Sequence, residues 1–160
     1  MRVKRIVCGA VVVCVFAIAL FGQSAQRVDE ILDTKAATFG QAAYLILASL
    51  ETISDDADFQ TAFTQMRQFA EQQGFKKASI PSSATESKSI SLKEYAFLLM
   101  QAFKVRGGAM YRMYPCPRYA YRDLRYLGLI QDSIDPDSAV SGRMMLQLLG
   151  QIDTVQGGAK

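Results

Sequence analysis

The sequence predicts an all-α fold, a compact bundle of about five or six helices preceded by an N-terminal signal helix. Three observations predict it: the chain starts with a basic segment and an apolar run, apolar residues then recur at helical spacing, and apolar runs opened by a small hydroxyl residue return about every 50 residues. We expect a signal peptide at 1–25, one helical domain at 26–153 and a disordered tail at 154–160.

The first 25 residues have the plan of a bacterial secretory signal. Residues 1–5 are basic, and residues 6–21 are uncharged and mostly apolar. The small residues Gly22 and Ser24 favour cleavage after Ser24, with Ala25 as a second possible cut. This pattern predicts a periplasmic protein. If the segment is not cleaved, it anchors the chain at the periplasmic face of the inner membrane, and membrane contact is expected through this segment alone.

Composition removes several classes of function. Without residues 1–25 the chain has 15 basic and 15 acidic side chains, so it lacks the basic excess of a nucleic-acid binder. It contains no histidine, which excludes the common nucleophilic triads and the usual zinc ligand sets. A hydrolase using paired carboxylates such as Glu94 and Asp123 has no sequence feature to bring the pair together. We therefore expect no enzyme activity, no metal and no cofactor.

Cys116 is the one cysteine outside the signal, so no internal disulfide can form in the mature chain. Its position between Pro115 and Pro117 favours a buried thiol packed against the prolines. A reactive thiol and an intermolecular link are the alternatives.

Three strongly apolar segments begin at Thr38, Ser91 and Ser141, which are 53 and 50 residues apart. Each hydroxyl can accept a hydrogen bond from the first turn of a helix, and Gln41 and Glu94 can complete capping boxes. These helices are apolar around most of their circumference, so we expect them to be buried on several sides.

A second type of helix is predicted at 59–74 and 118–128. Both end at a glycine, Gly74 or Gly128, and the two glycines are 54 residues apart. Each helix is followed by a proline-containing connector. The acidic run at 55–58 is interpreted as the N-cap of the first of these helices, since it lacks the rest of a calcium loop. A period of about 50 residues indicates a repeat architecture.

The pattern Leu127-Gly128-Leu129-Ile130, followed by Asp135-Pro136-Asp137 and Val140-Ser141, resembles the S-layer homology domain across 91–152, with a weaker match across 38–80. The resemblance implies three inner helices wrapped by three outer ones, with 27–36 as a truncated outer element, and it implies binding to the cell envelope. In that family an arginine of the inner-helix motif binds an acidic ketal group on a cell-wall polymer. The corresponding positions here are Phe39, Leu92 and Gly142.

The stretch 110–126 contains five tyrosines and four arginines. At about 100° per residue, Ala120, Leu124 and Leu127 share the side of the second outer helix that should face the bundle. The arginines cluster on the opposite side, with Tyr119 and Tyr126 at one edge and Tyr121 at the other. Tyr111 and Tyr114 are expected in a loop from Gly107-Gly108 to Pro115 that presents them. The candidate ligand-binding residues are Tyr111, Tyr114, Arg118, Tyr119, Arg122, Arg125 and Tyr126.

These residues suit an acidic or sugar-containing ligand, because guanidinium groups bind carboxylates and phosphates while tyrosine rings can stack on sugars. The sequence therefore predicts a non-catalytic envelope module that binds envelope glycan, peptidoglycan or a glycan-associated protein. One alternative is a protein-protein adaptor or assembly subunit of a periplasmic machine. Another is an ordinary solvated helix whose arginines pair with Asp123 and other acids.

Overall fold

The computed structural model describes residues 25–131 and 134–157, with side chains up to residue 152. Within these ranges it contains seven helices and no β-strand, which confirms the all-α fold class. The helices are α1 (25–33), α2 (Phe39–Ser49), α3 (Phe59–Gln72), α4 (Leu92–Ala102), α5 (Ala109–Met113), α6 (Pro117–Tyr126) and α7 (Gly142–Gly157). The predicted signal peptide lies outside the described residues except for residue 25. No helix in the described part is long and apolar enough to cross a bilayer.

The first two apolar helices begin with the predicted capping boxes. At the start of α2, the Gln41 N–H donates to Thr38 Oγ1 at 3.3 Å and the Thr38 N–H donates to Gln41 Oε1 at 3.0 Å. At the start of α4, Glu94 Oε2 accepts hydrogen bonds from the Ser91 N–H at 2.9 Å and from the Ser91 hydroxyl at 2.7 Å. Three of these four bonds satisfy backbone N–H groups that the helix itself leaves open, and the fourth joins the two side chains.

A ring of three backbone hydrogen bonds joins the starts of α2, α4 and α7. The Ala37 N–H donates to the Val140 carbonyl at 2.8 Å, the Ile90 N–H to the Ala37 carbonyl at 2.9 Å, and the Val140 N–H to the Ile90 carbonyl at 3.1 Å. These residues directly precede the hydroxyl residues that open the three helices. The ring therefore holds the three predicted inner helices together at one end of the bundle.

The first turn of each of these helices also bonds the connector that leads to the next one. The Phe39 N–H donates to the Lys88 carbonyl and the Leu92 N–H to the Ser138 carbonyl, both at 3.0 Å. The Gly142 N–H donates to the Thr34 carbonyl at 2.9 Å, which completes the circuit. N–H groups that would lack a helical partner are thus satisfied by neighbouring segments.

The core is built around α2, α4 and α7, called the central helices below, with α3 packed on α2 and α6 packed on α4. The Tyr95 hydroxyl at the centre donates to the Met145 carbonyl at 2.9 Å. Ile31 of α1 is fully buried and abuts the start of α7, where a Cβ on Gly142 would lie 1.6 Å from the Ile31 carbonyl oxygen. Only glycine fits at this contact.

The two helices packed against the central ones end as predicted. Gly74 and Gly128 have φ values of +67° and +74°, which glycine adopts without strain. The following residues close the same turn: the Phe75 N–H bonds the Ala70 carbonyl at 2.8 Å, and the Leu129 N–H bonds the Leu124 carbonyl at 3.0 Å. At the other end of α3, Asp58 is the N-cap and accepts the Thr61 N–H at 2.6 Å, as expected for the acidic run.

The last helix is longer than predicted. It continues to Gly157, so the disordered tail expected from residue 154 is helical as far as residue 157, and 158–160 lie outside the described residues. Nothing in residues 150–156 interrupts a helix strongly, because one glycine costs only about 1 kcal/mol and no proline is present.

Candidate functional site

The orientation of α6 is fixed by two small and apolar side chains. Ala120 and Leu124 are fully buried against the core, and Arg118, Arg122 and Arg125 on the other side of the helix are exposed, as predicted. Leu127 was also expected to face the bundle, but it is 47% exposed. It is the C-cap residue, beyond the last turn of α6, where the core no longer covers it.

The segment between Gly108 and Pro115 was predicted as a loop, and this is wrong because it contains helix α5. The Gly108 N–H at the start of α5 donates to Asp123 Oδ2 of α6 at 2.7 Å. A Cβ on Gly107 would lie 2.6 Å from the same oxygen, so the two segments approach closely only because this residue is glycine. The Asp123 carboxylate thus ties α5 alongside α6.

Tyr111 is a core residue, and its predicted presentation to a ligand is wrong. Its side chain is only 6% exposed, and its ring meets Phe97 edge to face at 5.9 Å between centroids. Gln101 Nε2 donates a hydrogen bond to the Tyr111 hydroxyl at 2.6 Å. Burial raises the pKa of this phenol. The helical turn of α5 directs residue 111 inward, which a loop would not require.

Tyr121, expected on one edge of the arginine stripe, is also structural. It is 7% exposed, and its hydroxyl donates to the Ile134 carbonyl at 2.5 Å. Two of the five tyrosines in this stretch therefore support the fold instead of facing a ligand.

The other candidate tyrosines remain accessible. Tyr114 is 63% exposed, Tyr126 is 92% exposed and Tyr119 is half-buried. They lie close in sequence to two exposed methionines, Met110 at 42% and Met113 at 67%. The large apolar side chains that are exposed in the described residues are Met110, Met113, Tyr114, Tyr126 and Leu127. Such concentration on the helical hairpin formed by α5 and α6 marks an interaction surface more strongly than scattered exposure would.

Cationic side chains share this surface. The Arg122 guanidinium lies 5.8 Å from the centroid of the Tyr119 ring, within cation-π range. Arg122, Asp123, Arg125 and Tyr126 line a shallow depression. We call the following set the α5–α6 face: Met110, Arg112, Met113, Tyr114, Arg118, Tyr119, Arg122, Arg125 and Tyr126.

The order of side chains around α6 shows how this face is arranged. At about 100° per residue, Tyr119 and Tyr126 fall between the arginine stripe and Asp123. Asp123 marks the side of α6 on which α5 lies, because it bonds the start of that helix. The tyrosines therefore separate the arginines of α6 from the exposed methionines of α5. The surface is a shallow one formed by a helical hairpin.

The acidic residues and the cysteine that were considered for catalysis or metal binding have structural roles or positions. Glu94 caps α4 and Asp123 holds Gly108, so the carboxylate pair considered for a hydrolase serves two separate structural bonds. In the described part of the chain, no three side chains of the metal-binding types come close enough to hold an ion. Cys116 is the N-cap of α6, is only half-buried and forms no disulfide.

The positions that correspond to the arginine of the S-layer homology motif are part of the core. Phe39 is 1% exposed and Leu92 is fully buried, while Gly142 has no room for a side chain. No residue at these three positions can contact a ligand on the surface. Comparisons of the chain with protein-family models, with curated proteins and with solved structures find no match.

Proposed function

We propose that this chain is an exported, non-catalytic module of the cell envelope that binds an acidic partner through the α5–α6 face. The observation that carries the proposal is the concentration of exposed apolar side chains and exposed arginines on one hairpin. Elsewhere in the described chain the large apolar side chains are covered at least in part. The leader pattern at 1–25 is the basis for export.

The residue types of the face favour a protein partner. Tyrosine, methionine and arginine are enriched in protein interfaces, where lysine and glutamate are depleted. Tyr126 and Arg122 are of the types that most often dominate binding energy. A shallow hairpin surface also suits a protein better than a small molecule, which needs a concave site. We therefore favour the adaptor or assembly subunit as the more specific function.

Glycan binding is the second candidate, and Tyr126 favours it. Its ring is 92% exposed and borders the same depression as Arg122 and Arg125. An exposed ring beside two guanidinium groups can stack on a sugar while the guanidinium groups bind a carboxylate or phosphate.

We further propose that the chain consists of three S-layer homology-like pseudo-repeats. The ring through Ala37, Ile90 and Val140 supports this, as does the identical turn at Gly74 and Gly128. The family architecture would then be retained while the family's arginine site is replaced by core residues. Binding in this chain would have moved to the outer surface of α5 and α6.

A pull-down on insoluble cell-wall sacculi separates the two candidates. The exported protein is compared with a triple variant in which Arg118, Arg122 and Arg125 are alanine. The matched control replaces three exposed cations elsewhere, Lys77, Lys88 and Arg143, by alanine. Salt-sensitive retention lost only in the first variant supports glycan binding.

A photo-crosslinking residue at position 126 tests the adaptor in the intact envelope, with the same residue at Gln68 on exposed α3 as the control. A discrete protein adduct at 126 and none at 68 supports the adaptor. If there is neither selective retention on sacculi nor a selective adduct, the α5–α6 face is not a binding surface.

A further inference from the structure

The neutral total charge of the mature chain hides a strong separation of charge. Residues 104–126 contain six basic side chains and one acidic one, a net of 6 − 1 = +5. Residues 26–58 contain two basic side chains and seven acidic ones, a net of 2 − 7 = −5. The seven acidic residues are all exposed, and we call them the acidic face: Asp29, Glu30, Asp33, Glu51, Asp55, Asp56 and Asp58.

The two segments that contribute to the acidic face meet at Arg27. Arg27 of α1 donates hydrogen bonds to the backbone carbonyls of Asp56, at 2.8 Å, and of Ala57. Its guanidinium also lies 5.7 Å from the Tyr44 ring centroid and 5.9 Å from that of Phe59. Arg27 therefore fixes α1 against the loop between α2 and α3. Its charge is directed towards backbone oxygens and rings, so most of the surrounding carboxylates keep their negative charge exposed.

Two of these carboxylates are held in the ionised form by hydrogen bonds. The Ser54 hydroxyl lowers the pKa of Asp56, and the Thr61 N–H lowers the pKa of Asp58. Both are therefore ionised at neutral pH.

The basic and acidic regions pack on different central helices. The hairpin of α5 and α6 packs on α4, whereas α1 and the 51–58 loop contact α2, α3 and the start of α7. Among the described residues, no ion pair connects the two regions. The salt bridge that is present joins Lys93 and Asp137, which belong to neither region. The two charges therefore do not neutralise each other within one molecule.

We propose that the α5–α6 face of one molecule docks on the acidic face of a second copy. The inference rests on the proposed function, because it names the partner of the same face. Residues 104–126, which contain the α5–α6 face, carry +5, and residues 26–58, which contain the acidic face, carry −5, so each copy offers one basic and one acidic surface. Exposed Met113 and Tyr126 provide apolar area that charges alone would lack.

A contact between two different surfaces is heterologous, so it does not end at a dimer. Copies add head to tail and form an open chain or a closed ring. Charge steers the encounter and weakens steeply with salt, since the screening length is about 10 Å at 0.1 M and roughly 3 Å at 1 M. We expect a mass that grows with protein concentration at low salt and returns to the monomer at about 1 M salt.

Charge reversal on each side tests the contact. The protein is expressed from the full-length chain and purified in the form that the cell exports, and its mass is measured by light scattering across protein and salt concentration. One variant carries Arg112→Glu, Arg118→Glu and Arg122→Glu. The other carries Asp29→Lys, Glu30→Lys and Asp55→Lys. Each variant alone should associate about tenfold more weakly or worse, since like charges then meet.

The decisive measurement is an equimolar mixture of the two variants. Each reversed face finds its complement on the other variant, so assembly should return in the mixture although both components are monomeric. Unchanged circular dichroism and melting temperature show that both variants are folded. Restored assembly cannot result from loss of structure.

Three outcomes overturn the inference: a wild-type protein that is monomeric at low salt, assembly that neither variant weakens, or a mixture that stays monomeric. None of them decides the proposed function. A monomer whose position 126 still gives a selective adduct with a different envelope protein retains the adaptor function and loses the self-association.

Discussion

At the starts of the three central helices, backbone groups bond one another and apolar side chains are covered, whereas on the α5–α6 face arginines and apolar side chains meet solvent. The first region contains Phe39 and Leu92 at positions where the resembling family has a ligand-binding arginine. The second contains exposed arginines on the side of α6 that faces away from the core. The difference teaches that the core dictates the residues at positions 39, 92 and 142, whereas it leaves the outward side of α6 free to vary.

Two tyrosines give the strongest test of this division. Tyr111→Ala should lower the free energy of unfolding by about 3–5 kcal/mol, because it removes a buried ring and its hydrogen bond from Gln101. Tyr126→Ala should change it by less than about 0.5 kcal/mol and should reduce partner binding. Urea unfolding of both variants measures the first quantity. Equal destabilisation by the two changes would contradict the assignment of Tyr126 to a binding face.

Two glycines of α7 test the contact between the start of α7 and Ile31 of α1. Gly142→Ala should cost about 3 kcal/mol or more, because its Cβ would lie 1.6 Å from the Ile31 carbonyl oxygen and the backbone must shift. Gly150→Ala is the matched control, since nothing lies within 4 Å of its added Cβ, and it should stabilise by up to about 1 kcal/mol. Thermal melts should place the two variants on opposite sides of the wild type. A neutral Gly142→Ala would mean that α1 is not held at this contact.

Alkaline pH should weaken the core through its buried phenols. Burial raises the pKa of Tyr95 and of Tyr111 above the ordinary value of 10.0. The folded state therefore retains protons that the unfolded state loses, and the stabilising contribution is present below pH 10 and declines as pH rises above it. Each group can contribute up to about 1.4 kcal/mol per pH unit in that range. Unfolding measured from pH 9 to 11 should show this slope, and it should be shallower in Tyr95→Phe.

A small effect is expected at the link between the α5–α6 face and the rest of the fold. Asp123→Ala removes the acceptor of the Gly108 N–H and should cost about 1 kcal/mol, with faster hydrogen exchange at 108–113. The backbone amides of Ile90 and Val140, which join the starts of the central helices, should remain protected from exchange. If their exchange accelerates equally, the hairpin and the central helices unfold as one unit and the two regions are not independent.

Much of the fold follows from local sequence signals. Thr38 with Gln41 and Ser91 with Glu94 mark helix starts, and Gly74 and Gly128 mark helix ends, since each acts through neighbours within a few residues. The orientation of α6 follows from Ala120 and Leu124 alone. These features need no knowledge of distant parts of the chain, so the sequence is sufficient for them.

The rest depends on contacts between distant residues or on short elements. Helix α5 has five residues, too few to show a helical period, so the burial of Tyr111 could not be foreseen. The need for glycine at 142 depends on the position of Ile31, over one hundred residues earlier. The charge separation was available in the sequence, but a total taken over the whole chain conceals it. Charges counted by segment would have shown it.

The circuit through Ala37, Ile90 and Val140 also limits how the chain can reach its native state. Each of the three residues gives one backbone bond and receives one, so a circuit of this kind admits no fourth member. A nascent chain that has not yet reached position 140 leaves Ala37 without its acceptor and Ile90 without its donor. Completion of the circuit must therefore wait until Val140 has been synthesised, so the starts of the three central helices cannot be joined before that residue is made.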